Sequence, residues 1–172
     1  MLSKWIYLLI GRDNTGKTTF QKRLIYHLTG LEYKRLDRNV SFDIVHKYAP
    51  KKLMTLFIMS RSFQENKNEY RTVAHYFNNY FEEEDICILS SHTDISEIKE
   101  MISEGKKRKY NVGGVFFSND NSKEIEEIAQ LDWDERFYLE NPWTENEEKW
   151  RKQIDNLAWE FAEMLIRRST LQ

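Results

Sequence analysis

Gly11-Arg12-Asp13-Asn14-Thr15-Gly16-Lys17-Thr18 fits the pattern G-x-x-x-x-G-K-[ST] at every fixed position. The flanks decide whether such a match is chance. Trp5-Ile6-Tyr7-Leu8-Leu9-Ile10 is a short apolar run of strand type that ends at the first glycine. After Lys17, the apolar residues Phe20, Leu24, Ile25 and Leu28 recur at helical spacing, and Gly30 is placed to end that helix. The order is strand, glycine loop, helix. A loop of this kind turns unpaired backbone N–H groups and the positive end of the helix dipole toward one point, and phosphate is attracted there. Gly11 and Gly16 let the backbone curl close to such a ligand. Lys17 is expected on the terminal phosphates of a nucleoside triphosphate, and the Thr18 hydroxyl on Mg²⁺. Arg12, Asp13, Asn14, Thr15 and Thr19 complete the expected nucleotide-binding loop.

A chain of 172 residues holds one α/β domain and is short for two. The net charge of −2, with acids and bases interspersed, gives no broad nucleic-acid footprint. The one cysteine, Cys87, sits in an apolar run, so no disulfide framework is expected, and the setting reads as reducing and cytoplasmic. The apolar run before Gly11 is too short to span a bilayer and leads into the loop rather than to a cleavage site. Neither a membrane anchor nor a signal peptide is expected.

The rest of the chain alternates strand and helix signals. Residues 32–37 read as a second strand, with Asp37-Arg38-Asn39 as its turn, and residues 39–50 give no clear pattern. Leu53 to Met59 is an apolar run that suits a buried parallel strand, with a helix as the alternative. Residues 63–81 read as one helix with Tyr70, Val73, Ala74, Phe77 and Phe81 on one face. Ile86-Cys87-Ile88-Leu89 is a buried strand. Asp94 with Glu97 starts a helix carrying Ile95, Ile98, Met101 and Ile102, and Gly105 is expected to end it. The basic run Lys106-Lys107-Arg108-Lys109 follows. Residues 112–117 read as a strand, Asn121 with Glu124 as a helix start, and residues 136–140 as a last strand. Thr144 with Glu147 reads as a capping box. The final helix shows Trp150, Ile154, Leu157, Phe161 and Leu165 on one face and ends near Arg167 and Arg168, cations suited to a helix C-terminus. This alternation predicts a three-layer α/β/α sandwich with a mostly parallel sheet, in one domain spanning the chain. Ligands of such sheets bind outside the carboxyl ends of the strands.

Gly-x-Asp-x-x-Gly-Lys-Thr-Thr, here Gly11 to Thr19, resembles the loop of thymidylate kinases and related small nucleotide kinases within the P-loop NTPase superfamily. The resemblance implies the P-loop NTPase fold and places Asp13 near the acceptor sugar. Ser60-Arg61 after an apolar strand resembles the Asp-Arg or Glu-Arg-Ser element of those kinases, and it makes Arg61 a candidate clamp on an acceptor phosphate. Ser60 stands where they carry an acid, and no strand ends in an apolar-apolar-apolar-Asp pattern. Asp43, Asp94, Asp120 and Glu140 are the remaining candidates for a carboxylate near the metal. The basic run resembles a lid, which would bring Arg108 onto the transferring phosphoryl group; a solvated loop after a helix is the plainer reading. His92, just past a strand, reads as a polar strand-end residue, with a γ-phosphate contact as the sharper alternative.

Two functions remain open on the sequence. One is a small phosphotransferase that binds ATP and Mg²⁺ and passes the γ-phosphoryl group to a small-molecule acceptor. Lys17, Asp13, Arg61 and Arg108 are its expected catalytic set. The other is a nucleotide-binding module that hydrolyses slowly or not at all and serves a protein partner. Trp143, Trp150 and Trp159 are candidates for a face toward such a partner. Phe117-Ser118-Asn119-Asp120 lacks the lysine of the Asn-Lys-x-Asp guanine signature, which points to ATP.

Overall fold

The computed structural model describes residues 3–171. The first half contains β1 (Trp5–Ile10), α1 (Lys17–Thr29), β2 (Asn39–Asp43), β3 (Thr55–Met59), a 3-10 turn (Phe63–Asn66), α2 (Lys67–Tyr70) and α3 (Val73–Asn79). The second half contains β4 (Ile86–Ser91), α4 (Ile95–Lys107), β5 (Asn111–Phe117), α5 (Glu124–Ala129), β6 (Glu135–Leu139) and α6 (Glu147–Thr170). The six strands form one sheet in the order β2-β3-β4-β1-β5-β6. Only β2 runs antiparallel to its neighbour; the other pairs are parallel.

Alternation along the strands builds two cores. Ile6, Leu8 and Ile10 of β1, with Cys87 and Leu89 of β4, face Val73, Tyr76, Ile98, Met101 and Ile128 from α3, α4 and α5. Tyr7 and Leu9, with Ile86 and Ile88, face Phe20, Leu24, Ile154 and Phe161 from α1 and α6. The sheet is therefore covered on both sides, and the α/β/α sandwich is the observed architecture.

Several local readings change. Residues 32–37 are irregular; the strand is Asn39–Asp43, an antiparallel edge whose residue Asn39 lies opposite Met59. The helix expected over residues 63–81 is three pieces, broken where Arg71 adopts φ 62. Gly105 does not end α4 but lies inside it. A Cβ there would come within 2.8 Å of Val112 Cγ2, so the glycine serves close packing of α4 on β5, and the left-handed turn falls on Lys109 at φ 64. Asn146, not Thr144, caps α6, accepting from the Lys149 amide. Asn121 does not cap α5; its Oδ1 accepts from Arg12 instead.

Candidate functional site

The glycine loop joins the carboxyl end of β1 to α1 at the middle of the sheet. Asn14 at φ 62 and Gly16 at φ 107 turn it back on itself. Neighbouring strand ends fasten it. Asp120, after β5, accepts from the Arg12 amide at 2.6 Å and from Arg12 Nε at 3.2 Å. Asn119 Nδ2 and Asn141 Nδ2, from the loops after β5 and β6, both donate to the Thr15 carbonyl, at 3.2 and 2.8 Å. Thr15 Oγ1 donates to the Arg12 carbonyl. Burial raises the Asp120 carboxyl, but hydrogen bonds from the Arg12 and Ser122 amides outweigh it and hold the group below the usual range.

Lys17 is buried, and its ammonium folds back onto its own loop. It donates to the Gly11 carbonyl and, at 2.8 Å, to the Arg12 carbonyl. Burial lowers its pKa to about 8, against the opposing pull of the Asp13, Glu65 and Asp120 carboxylates. Lys17 forms no ion pair among the described residues; its partners are neutral carbonyls. A cation held this way is ready to exchange them for an anion.

In front of Lys17 lies an open polar cleft of about 680 Å³. Thr18 and Thr19 line it from α1, Arg61 and Glu65 from the segment after β3, and Trp143 and Trp150 from the entry to α6. Thr18 is exposed, with Oγ1 3.5 Å from the Ser60 carbonyl. Of the carboxylates that line the cleft, Asp13, Glu65, Glu145 and Glu147, the sequence reading did not single out Glu65. Its spacing from Ser62 is that of a capping box, which the structure forms, with Oε2 accepting from the Ser62 amide at 2.8 Å. Magnesium takes oxygen ligands and commonly needs only one or two from protein beside the phosphates. Thr18 and Glu65 each bring a side-chain oxygen to the cleft, Glu65 being also held by the Ser62 amide and Arg61.

The other acidic candidates are engaged elsewhere. Asp43 lies opposite Thr55, at the amino end of β3 and away from the loop. Asp94 accepts from the Glu97 amide as the α4 cap. Asp120 is held by Arg12. Glu140 is exposed and does not line the cleft. Ser60 donates from Oγ to the Asp37 carbonyl at 2.7 Å and so fixes the turn before β2.

Arg61 reaches the cleft, with Nη1 3.4 Å from Glu65 Oε1. Asp13 is exposed, and its Oδ1 lies 3.0 Å from His92 Nε2 at the end of β4. Arg108 is a correction. α4 runs back from the carboxyl end of β4, and Asn111, which opens β5, donates to the Lys4 carbonyl just before β1. Arg108 therefore sits at the amino edge of the parallel strands, opposite to the loop. There it pairs with Glu104, donates to Asn78 Oδ1 at 2.7 Å and lies over the Phe77 ring. Lys106 and Lys107 pair with Asp132 and Glu104. The basic run is a packed helix end, not a lid.

A scan against protein-family models and a search of curated proteins found no match. The matches from a search of solved structures include two solution NMR structures of de novo designed proteins. One is 12% identical with a TM-score of 0.43, the match covering 93% of this chain and 92% of that chain. The other, described as having a P-loop NTPase fold, is 15% identical with a TM-score of 0.42, covering 94% and 95%. At these scores neither bears on function. The α/β fold of this chain stands on its own strand order, with the glycine loop at the carboxyl end of the central strand.

Proposed function

We propose that the chain binds a nucleoside triphosphate, ATP before GTP, and transfers its γ-phosphoryl group to a small acceptor. The observation that carries the reading is Lys17, a buried ammonium held only by its own loop carbonyls at the head of a polar cleft. Lys17 and the loop amides bind the phosphates and neutralise their charge. Thr18 and Glu65 would hold Mg²⁺ beside them, and the ion would supply neutralisation of the charge that develops on transfer. Asp13 and Arg61 flank the cleft from two sides and position the acceptor. Phosphoryl transfer asks mainly for such positioning and charge stabilisation.

A second reading has an observation of its own. β4, beside β1, ends in Ser90-Ser91, with no carboxylate, and the Arg108 lid is gone. Both favour a nucleotide-operated module that turns over slowly for a protein partner. An ADP-release assay with ATP, Mg²⁺ and a panel of nucleosides and nucleoside monophosphates separates them. Acceptor-stimulated release supports the transferase; slow, acceptor-independent release supports the module. No ATP binding by titration calorimetry rejects both. No described helix is long and apolar enough to cross a membrane.

A further inference from the structure

β4 lies parallel to β1 with Leu9 opposite Ser90 and Ile10 opposite Ser91. Side chains alternate along a strand, so Ser90 shares the face of Ile86 and Ile88, which pack beneath α1. The residue of α1 it meets is Gln21, one turn beyond Lys17. Both Gln21 and Ser90 are fully buried. Gln21 Nε2 lies 2.8 Å from the Met59 carbonyl and 3.0 Å from Ser90 Oγ. A carbonyl oxygen only accepts, so chemistry requires the amide nitrogen on that side. The same nitrogen then donates to Ser90, which makes Ser90 Oγ an acceptor toward Gln21. The hydroxyl proton must point elsewhere. Gln21 Oε1 has no hydrogen-bond partner, so it does not take that proton. Ser90 lines the floor of the cleft that Lys17 and Thr18 also line.

We propose that Ser90 reads the terminal phosphate of the bound nucleotide directly, donating its O–H to a γ-phosphate oxygen. This rests on the nucleotide reading above. An acid at this register would accept hydrogen bonds from metal-bound water and repel a bare phosphate. A hydroxyl whose acceptor side is occupied does the reverse. Gln21 occupies its acceptor side before the ligand arrives, which leaves the hydroxyl biased to donate toward the cleft. The chain thus distinguishes triphosphate from diphosphate by a fixed neutral donor, with less reliance on magnesium than a carboxylate would impose.

Titration calorimetry with ATP and with ADP, in Mg²⁺ and in EDTA, tests this on wild type, Ser90→Ala and Ser90→Asp. Ser90→Ala is expected to lower the preference for ATP over ADP by about tenfold or more in EDTA, the worth of one hydrogen bond to a charged group, with ADP affinity little changed. Ser90→Asp is expected to lose more ATP affinity in EDTA and to regain much of it with Mg²⁺. If Ser90→Ala melts early and cannot be titrated, Ser90→Cys, nearly the same size and a far weaker donor, takes its place with the same expected loss of ATP preference. An unchanged ATP-to-ADP ratio in Ser90→Ala, an equal loss for both nucleotides, or a wild-type response of Ser90→Asp in EDTA overturns the inference while leaving the nucleotide site standing. Wild type that binds neither nucleotide overturns the nucleotide reading and this inference with it.

Discussion

Asn141 Nδ2 donates to the Thr15 carbonyl at 2.8 Å from a wholly buried position. The same side chain accepts from the Asn119 amide at 3.3 Å, and the Asn141 amide donates to Ser118 Oγ at 2.8 Å. One asparagine thus ties the loops after β5 and β6 to the back of the glycine loop. Next to it, a Cβ on Gly16 would come within 3.1 Å of Ile154 and 3.3 Å of Trp150, so the loop is pressed on α6 as well. The glycine loop is held by the fold and does not wait for a ligand to shape it.

Asn141→Ala should therefore lower both stability and triphosphate affinity. It leaves the Asn119 amide without this acceptor and removes one of the donors on the Thr15 carbonyl. The cost is about 1–3 kcal/mol, read as a fall of about 2–4 °C in Tm for each kcal/mol in a chain of this size. Thermal melts with and without ATP check it. An unchanged Tm would show that the bond to Thr15 contributes nothing to the loop.

Lys17 predicts a pH dependence with a definite sign. Burial holds its pKa near 8, below the ordinary lysine value of 10.5. Between those values the unfolded chain carries more protons than the folded one, so raising the pH through that window favours folding of the free protein. Nucleotide binding runs the other way. Phosphates favour the ammonium and raise its pKa, so binding takes up a proton above pH 8. Affinity should then fall by up to about tenfold per pH unit beyond it. Calorimetry in buffers of different ionisation enthalpy near pH 8.5 should show that uptake in wild type, and Lys17→Met should lose both the uptake and most of the affinity. Proton-neutral binding in wild type contradicts the role given to Lys17.

Local pattern carried much of this fold, and tertiary placement carried what local pattern missed. The glycine loop, β1 and the strands after residues 85 and 110 rest on short-range signals that nothing overrides. The edge strand β2 does not: Asn-Val-Ser-Phe-Asp alternates polar and apolar residues, but Val40 and Phe42 are its only two apolar positions, too short a signal by itself, and pairing with β3 completes the strand. The break at Arg71 has no glycine or proline to announce it. Arg108 was misplaced for a different reason. Which end of the sheet a loop reaches follows from strand order and helix direction, and four adjacent cations look alike at either end. Glu65 was passed over because residues 63–81 read as one helix, and nothing local shows that its first turn borders the glycine loop.

Arg108→Ala now has an expected outcome opposite to that of a lid. The guanidinium pairs with the partly buried Glu104 and covers the Phe77 ring at 5.1 Å. Its loss should cost about 1–2 kcal/mol of stability through the missing charged hydrogen bonds and ring contact. Turnover per folded molecule and ATP affinity should stay at the wild-type level. Urea unfolding and a steady-state ADP assay on the same preparation measure both. A large drop in kcat with unchanged stability would return Arg108 to the site.

Asp13 separates the two functional readings. It is exposed at the tip of the glycine loop, 3.0 Å from His92 Nε2 and free of the hydrogen bonds that hold Arg12 and Thr15. Removing it should leave the loop's shape intact. It should also leave ATP affinity nearly intact, because an exposed carboxylate beside phosphates does not contribute to holding them. In a transferase, Asp13→Ala removes an acceptor contact, and kcat/KM for the acceptor should fall roughly tenfold to a hundredfold, the worth of one charged hydrogen bond. In a nucleotide-operated module, basal hydrolysis should not change. Steady-state kinetics at varied acceptor, paired with an ATP titration of the same mutant, reads the two quantities independently. An Asp13→Ala protein that no longer binds ATP would place Asp13 in the nucleotide site and remove it from the acceptor side.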